Sequence, residues 1–287
     1  MDYAMILSAV AMFGIQFLFN QRYGRLAGSG LRATMIFKAG SAAAGLCVLG
    51  AAWVLRGAQP MPLSRFALGM ALLMALDGIG YQFFSLKALG QVNLSLYSVF
   101  AMLGGMLLPF LLGLVVYREE ITVGKILAVL LIAAALALTI RGAPGGKTGF
   151  GYCAGVFVLN GLSGVISKIY AATPCDKPDA LGFTMLSAGA TLPIALAALF
   201  VRRGDSVPYS PKIASAIAGS GILSYAANLI LLVALARVPA STQYPMVTGG
   251  VMAVSALLSC CTGERPTRRE LGALALAIAG VCVTALR

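Results

Sequence analysis

Ten apolar stretches, each long enough to cross the hydrocarbon core of a lipid bilayer, run through the sequence. A membrane-spanning helix needs about 20 consecutive apolar residues, because it rises about 1.5 Å per residue through a core about 30 Å thick. The stretches lie at residues 3–20, 32–54, 66–86, 94–116, 122–140, 150–169, 181–201, 213–236, 241–261 and 270–286. Because the joins between them are short, no water-soluble domain is inserted. The sequence therefore predicts an all-α membrane protein with ten transmembrane helices.

The charge of the chain fits this interpretation better than it fits a nucleic-acid-binding protein. Charged residues make up 10% of the sequence and the net charge is +12, whereas soluble domains carry about 25% charged residues. Most of the lysines and arginines lie in the short turns between spans, where basic residues set membrane topology. The lipid bilayer is therefore an expected partner, and nucleic acid is not.

The distribution of basic residues predicts an orientation. Joins after the odd-numbered spans carry twelve lysines and arginines, while the even-numbered joins and the C-terminus carry seven. Because basic residues are retained on the cytoplasmic side, this count places both chain ends outside the cytoplasm.

Signals for metal, cofactor or enzyme chemistry are missing from the sequence. It has no histidine, and its six cysteines form no CxxC pair, so neither a metal site nor a cofactor is expected. The segment Gly146-Lys147-Thr148 resembles the end of a phosphate-binding loop, but Arg141 stands where the opening glycine belongs. Asp77 has no second intramembrane carboxylate, and Ser/His pairs are absent. The sequence thus predicts a protein that is not an enzyme.

An internal duplication divides the chain into two halves. Residues 88–128 and 234–273 both contain an apolar segment with a glycine pair, Gly104-Gly105 and Gly249-Gly250, and both end in an acidic, threonine-containing turn. Because small residues in membrane helices favour close packing, both glycine pairs are predicted to be packing features. Each copy belongs to a unit of five predicted spans, and an odd number of spans inverts the second unit in the membrane. The predicted domains are residues 1–145 and 146–287, arranged as the inverted repeats typical of secondary transporters.

The repeated turns carry a family resemblance. An E-x-x-T pattern runs from Glu119 to Thr122 and from Glu264 to Thr267, each time before a helix rich in small residues. A ten-span chain with this pattern resembles the EamA-like branch of the drug/metabolite transporter superfamily. The resemblance implies two five-helix bundles around a central cavity, lined mainly by helices 1, 3, 4, 6, 8 and 9.

The resemblance also implies a location and a range of substrates. Members move amino acids, nucleotide-derived compounds, sugars or toxic organic molecules, often outward, so a bacterial cytoplasmic membrane is the expected location. Members are expected to have both termini in the cytoplasm. That expectation conflicts with the lysine and arginine count, and the orientation is left open.

Asp77 is the leading candidate for a transport residue, because it is the only acidic residue deep within a predicted span. An intramembrane charge is costly unless it faces a partner or a wet cavity. Helical spacing places Asp77, Tyr81 and Ser85 on one stripe, with Gln82 beside it. A poorly solvated carboxyl group favours its neutral form, so proton coupling through Asp77 is one expectation, and a static ion pair or helix cap is the other.

Matching polar positions in the two halves give further candidates. The pair Gln16 and Asn20 in the first span corresponds to Ser163 and Ser167 in the sixth, and Gln82 corresponds to Asn228. The lysines inside spans are treated differently: Lys38 is assigned to the membrane interface through its flexible stem, while Lys168 is retained as a candidate. The complete predicted substrate-binding set is Gln16, Asn20, Asp77, Tyr81, Gln82, Tyr97, Asn160, Ser163, Lys168, Tyr225, Asn228, Gln243 and Tyr244.

These patterns together predict a secondary transporter that moves a small polar organic metabolite by alternating access. The metabolite is expected to be a compound such as an amino acid or a nucleotide derivative, and the direction is expected to be export. Its energy would come from the substrate gradient, an exchanged solute or a proton, because no ATPase motif is present. A translocase of lipid-linked carriers is the alternative. The substrate identity and the oligomeric state are left open by the sequence.

Overall fold

The computed structural model describes residues 2–118, 123–124, 127, 130–131, 134–135, 146–201, 207–235, 240–261 and 267–283. Nine helices are described in this part of the chain. They are α1 (Asp2–Ala27), α2 (Leu31–Leu55), α3 (Arg65–Leu89), α4 (Leu94–Val115), α5 (Gly146–Ala172), α6 (Ala180–Val201), α7 (Pro211–Leu235), α8 (Ala240–Cys261) and α9 (Arg268–Val283).

The predicted all-helical fold is confirmed for the described residues. Seven of the helices are long and apolar enough to cross a membrane, which is compatible with an integral multi-pass membrane protein. Leu72, Leu73 and Leu76 of α3 remain about half exposed, as expected for side chains that face lipid. The fifth predicted span, residues 122–140, and the acidic turns at residues 119–122 and 262–266 lie mostly or wholly outside the described residues. The tenth helix therefore stays a prediction.

Local signals set the starts and ends of several helices. Ser64, Asn93 and Asp179 each accept a hydrogen bond from the backbone N–H three residues later, at 3.2, 2.8 and 2.8 Å. Such bonds satisfy N–H groups that the first turn of a helix leaves unpaired. Gly28 follows the end of α1 with φ +81°, a left-handed conformation that costs glycine little.

Helix packing joins the two halves of the chain more than it joins neighbours within each half. The packed pairs between α1–α4 and α5–α8 are α1 with α7 and α8, α2 with α6 and α7, α3 with α5 and α6, and α4 with α5 and α8. This set is unchanged when α1, α2, α3 and α4 are exchanged with α5, α6, α7 and α8 respectively. The two halves thus present equivalent surfaces to each other.

Glycines allow the closest of these helix crossings. A Cβ added at Gly104 in α4 would overlap the backbone of Phe157 in α5, and one added at Gly161 in α5 would lie 2.8 Å from the carbonyl oxygen of Gly104. Small residues that let two backbones approach are typical of membrane helix interfaces. The interpretation of the Gly104-Gly105 pair as a packing feature is confirmed.

A buried tyrosine packs at one end of the bundle, where α1 meets α2. Tyr23, near the end of α1, packs against Phe37 of α2 with ring centroids 4.7 Å apart, and its hydroxyl donates to the carbonyl of Ala33 at 2.6 Å. Leu86, near the end of α3, and Ile213, near the start of α7, belong to the same apolar cluster. The cluster therefore gathers three helices of the first half and one of the second.

A second tyrosine repeats this arrangement at the opposite end. Tyr170, near the end of α5, stacks on Phe183 of α6 at 4.0 Å, and its hydroxyl donates to the carbonyl of Pro178 at 2.7 Å. Ala67, near the start of α3, belongs to this cluster, whereas Leu86, near the end of α3, belongs to the first. With about 1.5 Å of rise per residue, the two clusters lie at opposite ends of α3.

Removal of the Tyr23 hydroxyl should weaken the junction between α1 and α2. We expect Tyr23→Phe to lower the free energy of unfolding by about 1 kcal/mol, because a buried hydrogen bond is lost while the ring contact with Phe37 is kept. Unfolding of the purified chain in mixed micelles, followed by circular dichroism, measures the change. Tyr209→Phe is the control, because Tyr209 is 93% exposed; equal stability of both variants would contradict the assigned role.

Candidate functional site

Asp77 lies at the midpoint of α3 and links the two halves of the chain. The residue is 6% exposed, and its Oδ2 accepts a hydrogen bond from the Ser163 hydroxyl of α5. Its Oδ1 is buried and has no hydrogen-bond partner within the described part of the chain. Ser163 was predicted to face the same site from the second half, and the structure brings the two residues into contact.

Lys38 of α2 lies beside this carboxyl group, which the sequence analysis did not anticipate. A Cβ added at Gly78 would be 3.3 Å from Lys38 Nζ, so the ammonium group lies against α3 one residue beyond Asp77. The two charges are close enough to interact electrostatically. The assignment of Lys38 to the membrane interface is therefore wrong, because its stem directs the ammonium group to the middle of α3, where the carboxyl group lies.

Tyr81 and Tyr97 form a hydroxyl network one turn from Asp77. Their hydroxyl oxygens are 2.9 Å apart, and the Ser85 hydroxyl is also 2.9 Å from that of Tyr97. The Tyr97 ring is fully buried and meets Phe17 edge-on at 5.1 Å. Tyr97 thus packs α4 against α3 and α1. Within the network, Tyr81 is the member that lies one helical turn from Asp77.

Buried amide side chains lie on the inner faces of α1 and α3. Asn20 is fully buried, and its Oδ1 accepts a hydrogen bond from the Ser220 hydroxyl of α7 at 2.7 Å. Gln82 is 4% exposed, and Gln16 is 8% exposed. The side-chain nitrogens of Asn20 and Gln82 are buried without a hydrogen-bond partner among the described residues. Both groups are available as donors.

Two other predicted residues contact α4 or the turn after it instead. Asn160 Nδ2 donates to the carbonyl of Ala101 at 2.6 Å, which fastens α5 to α4. Lys168 Nζ approaches the carbonyl of Pro109 at 3.5 Å and lies 5.5 Å from the Tyr117 ring centroid. Both neighbours of Lys168 belong to the second half of α4 and the turn after it, away from the Tyr97 network at its start.

The remaining predicted residues lie on α7 and α8. Tyr225 packs into the space left by Gly45 of α2 and belongs to an apolar cluster with Leu49. Asn228 is exposed, and its Nδ2 donates to the carbonyl of Ser224 at 2.8 Å. The side chains of Gln243 and Tyr244 lie outside the described residues.

The geometry therefore selects a smaller site than the sequence predicted. A carboxylate acceptor at Asp77, an ammonium group at Lys38 and unpaired amide donors at Asn20 and Gln82 come from α1, α2 and α3, and Ser163 of α5 completes the contact with the other half. Among the described residues, no group of three His, Cys, Asp or Glu side chains could hold a metal ion. The signal that could have identified Lys38 is its position within an apolar span.

Comparisons with known proteins identify a structure of similar fold but give no information on activity. No protein-family model matches the chain, and no curated protein sequence matches it. A solved structure described as "Crystal structure of protein" is similar over 99% of this chain and 96% of its own, with a TM-score of 0.61 and 18% sequence identity. At that identity the likeness extends to the fold alone. The chain therefore shares its overall fold with that structure.

Proposed function

We propose that this chain is a secondary transporter that moves a small polar organic metabolite across a membrane by alternating access. Its fold would be that of the EamA-like branch of the drug/metabolite transporter superfamily, with inverted five-helix repeats at residues 1–145 and 146–287. The observation that carries the proposal is the Asp77–Ser163 hydrogen bond, which joins the two halves at the middle of a membrane-spanning helix.

The equivalence of the two halves supports an inverted repeat. The packed pairs between α1–α4 and α5–α8 are unchanged by exchange of the halves, as a two-fold axis would require. The Tyr23–Phe37 and Tyr170–Phe183 pairs occupy matching positions in the two halves but opposite ends of the bundle. An exchange that also reverses the ends corresponds to an axis in the membrane plane.

Alternating access needs an interface that can open at one end while it closes at the other. The two tyrosine clusters are suited to this, because each couples the end of one helix to the start of the next with one hydrogen bond and one ring contact. Each cluster also gathers helices from both halves. Separation of the halves at one end would thus disrupt a single compact cluster and leave the other intact.

The mid-membrane groups supply binding chemistry. Asp77 Oδ1 can accept a hydrogen bond or a proton, and the amides of Asn20 and Gln82 can donate hydrogen bonds to a ligand. In a poorly solvated site these contacts are stronger than in water. The asymmetry matters: the acceptor carboxylate comes from the first half, while the second half contributes the neutral hydroxyl of Ser163.

Metabolite redistribution tests the proposed function. We expect cells that express the wild-type chain to show at least one small polar metabolite with an altered ratio between the cells and the medium, compared with cells that carry an empty vector. Untargeted mass spectrometry of both fractions measures the ratio. Altered lipid-linked carriers, with all polar metabolites unchanged, would replace the proposal with the lipid-carrier translocase. No change in either class would refute transport by this chain.

A further inference from the structure

Three hydrogen-bond donors converge on one face of α3, just beyond Asp77. Asn20 Nδ2 and Gln82 Nε2 are buried without hydrogen-bond partners in the described part of the chain, and Lys38 Nζ lies against Gly78. Gly78 precedes Gln82 by one helical turn, so both positions share a face. The donors come from α1, α2 and α3, which pack against one another in the pairs α1–α3 and α2–α3.

The register of α1 and α3 places Asn20 and Gln82 at the same level. A Cβ added at Gly24 of α1 would lie 3.5 Å from Leu86 Cδ2 of α3, which pairs these two positions across the parallel helices. Asn20 precedes Gly24 by four residues, and Gln82 precedes Leu86 by four. The two amides therefore lie one turn below the Gly24–Leu86 contact, on the facing sides of their helices.

The orientation of Asn20 is set by a neighbour from the second half. Ser220 Oγ of α7 donates to Asn20 Oδ1 at 2.7 Å, which leaves the Nδ2 group as the free end of the amide. Buried donors without partners cost free energy, and folded proteins keep few of them. Two unsatisfied amide donors and an ammonium group on one helix face indicate a ligand acceptor that satisfies all three.

We propose that Lys38, Asn20 and Gln82 form a subsite for a carboxylate group of the transported compound. This proposal rests on the proposed transport function and adds the chemistry of the substrate. A carboxylate offers two oxygens with about four acceptor positions, which suffice for one ammonium and two amide groups. Charge-assisted hydrogen bonds of this kind are roughly twice as strong as neutral ones.

The charge balance selects a monoanion over a phosphate. Among the described residues, Lys38 is the only cation in the subsite, and Asp77 adds a negative charge near it. A phosphate dianion would be repelled by Asp77 with a single positive charge to offset it. A carboxylate instead leaves the carboxyl group of Asp77 free to contact another part of the same compound.

Ligand-induced thermal stabilisation of the purified full-length chain in detergent tests the subsite. The probes are acetate, propionate, benzoate and glycine, their uncharged amides, and inorganic phosphate, all at equal ionic strength. We expect at least one carboxylate to raise the Tm of the wild-type chain in a concentration-dependent way, with no shift from its amide. Lys38→Met and Gln82→Met should each weaken the binding of that carboxylate by roughly tenfold or more.

Two controls separate the subsite from general charge effects. Lys87→Met removes a lysine from the same region of the chain, but Lys87 Nζ lies over the Phe83 ring at 5.9 Å, so carboxylate binding should be unchanged. Lys38→Arg keeps the charge and should retain part of the binding. Equal binding by wild type and Lys38→Met, stabilisation by phosphate alone, or no stabilisation by any carboxylate would overturn the subsite.

The outcome can be read independently of the transport proposal. Redistribution of a metabolite by the wild-type chain together with no carboxylate stabilisation would overturn the subsite alone. Carboxylate stabilisation that Lys38→Met abolishes, in a chain that redistributes no metabolite, would support the subsite and refute transport.

Discussion

Asp77→Asn is expected to lower the initial rate of metabolite transport by roughly ten- to a hundredfold, which corresponds to the loss of one charge-assisted hydrogen bond. Asparagine keeps the shape of the side chain and can still accept from Ser163, so the change removes mainly the charge. The rate is measured in proteoliposomes with the compound identified by the redistribution experiment, at equal amounts of folded protein.

Asp179→Asn provides the matched control for this variant. Asp179 is exposed, pairs with Arg56 at 3.5 Å and caps α6, and asparagine is an equally good cap. Its transport rate should stay within about twofold of wild type, because exposed ion pairs contribute little. The double variant Asp77→Asn/Lys38→Met removes both charges; it should fold normally and transport no faster than Asp77→Asn. A rate close to wild type in Asp77→Asn would reduce Asp77 to a structural role.

Gly104→Ala is expected to destabilise the folded chain by about 3 kcal/mol or more, at the upper end of the cost of overpacking. The added methyl group would overlap the backbone of Phe157. A backbone cannot rotate away as a side chain can, so α4 and α5 would have to separate. The loss of stability is measured by unfolding in mixed micelles and by the yield of monodisperse protein.

Gly151→Ala is the corresponding change at a position without a close neighbour. Gly151 lies on α5, and a Cβ added there meets no atom within 4 Å. Because alanine is a better helix former than glycine by about 1 kcal/mol, this variant should be as stable as wild type or slightly more stable. If Gly104→Ala matched it, the close α4–α5 crossing would be incorrect.

The sequence predicted a residue's role best where the residue type and its position in a span were informative by themselves. Asp77 stood out because an acidic residue within an apolar span is rare, and the structure places it in contact with Ser163 of the other half. The glycine pair was read correctly because small residues in membrane helices usually mark close packing. Neither inference needed a knowledge of which helices are neighbours.

The sequence predicted the role of a residue less well where that role depends on the direction in which the side chain points. Lys38 was assigned to the interface from its distance to a helix end, yet its ammonium group lies beside Gly78. Asn160 has the polar side chain expected of a ligand contact, but it donates to the carbonyl of Ala101. The flexible side chain of Lys38 and the amide of Asn160 can each reach several partners. The sequence alone does not show which partner is chosen.

The amino-acid sequence by itself determined the helical membrane architecture, because the length of an apolar stretch and the bilayer thickness leave the chain few alternatives. It also determined the positions of most helices and the presence of a buried carboxyl group. Only the tertiary structure decided which polar groups meet: that Ser163 reaches Asp77, that Lys38 turns inward, and that Asn20 and Gln82 keep unpaired donors. These contacts depend on the rotation of each helix about its axis, which is set by packing against distant parts of the chain.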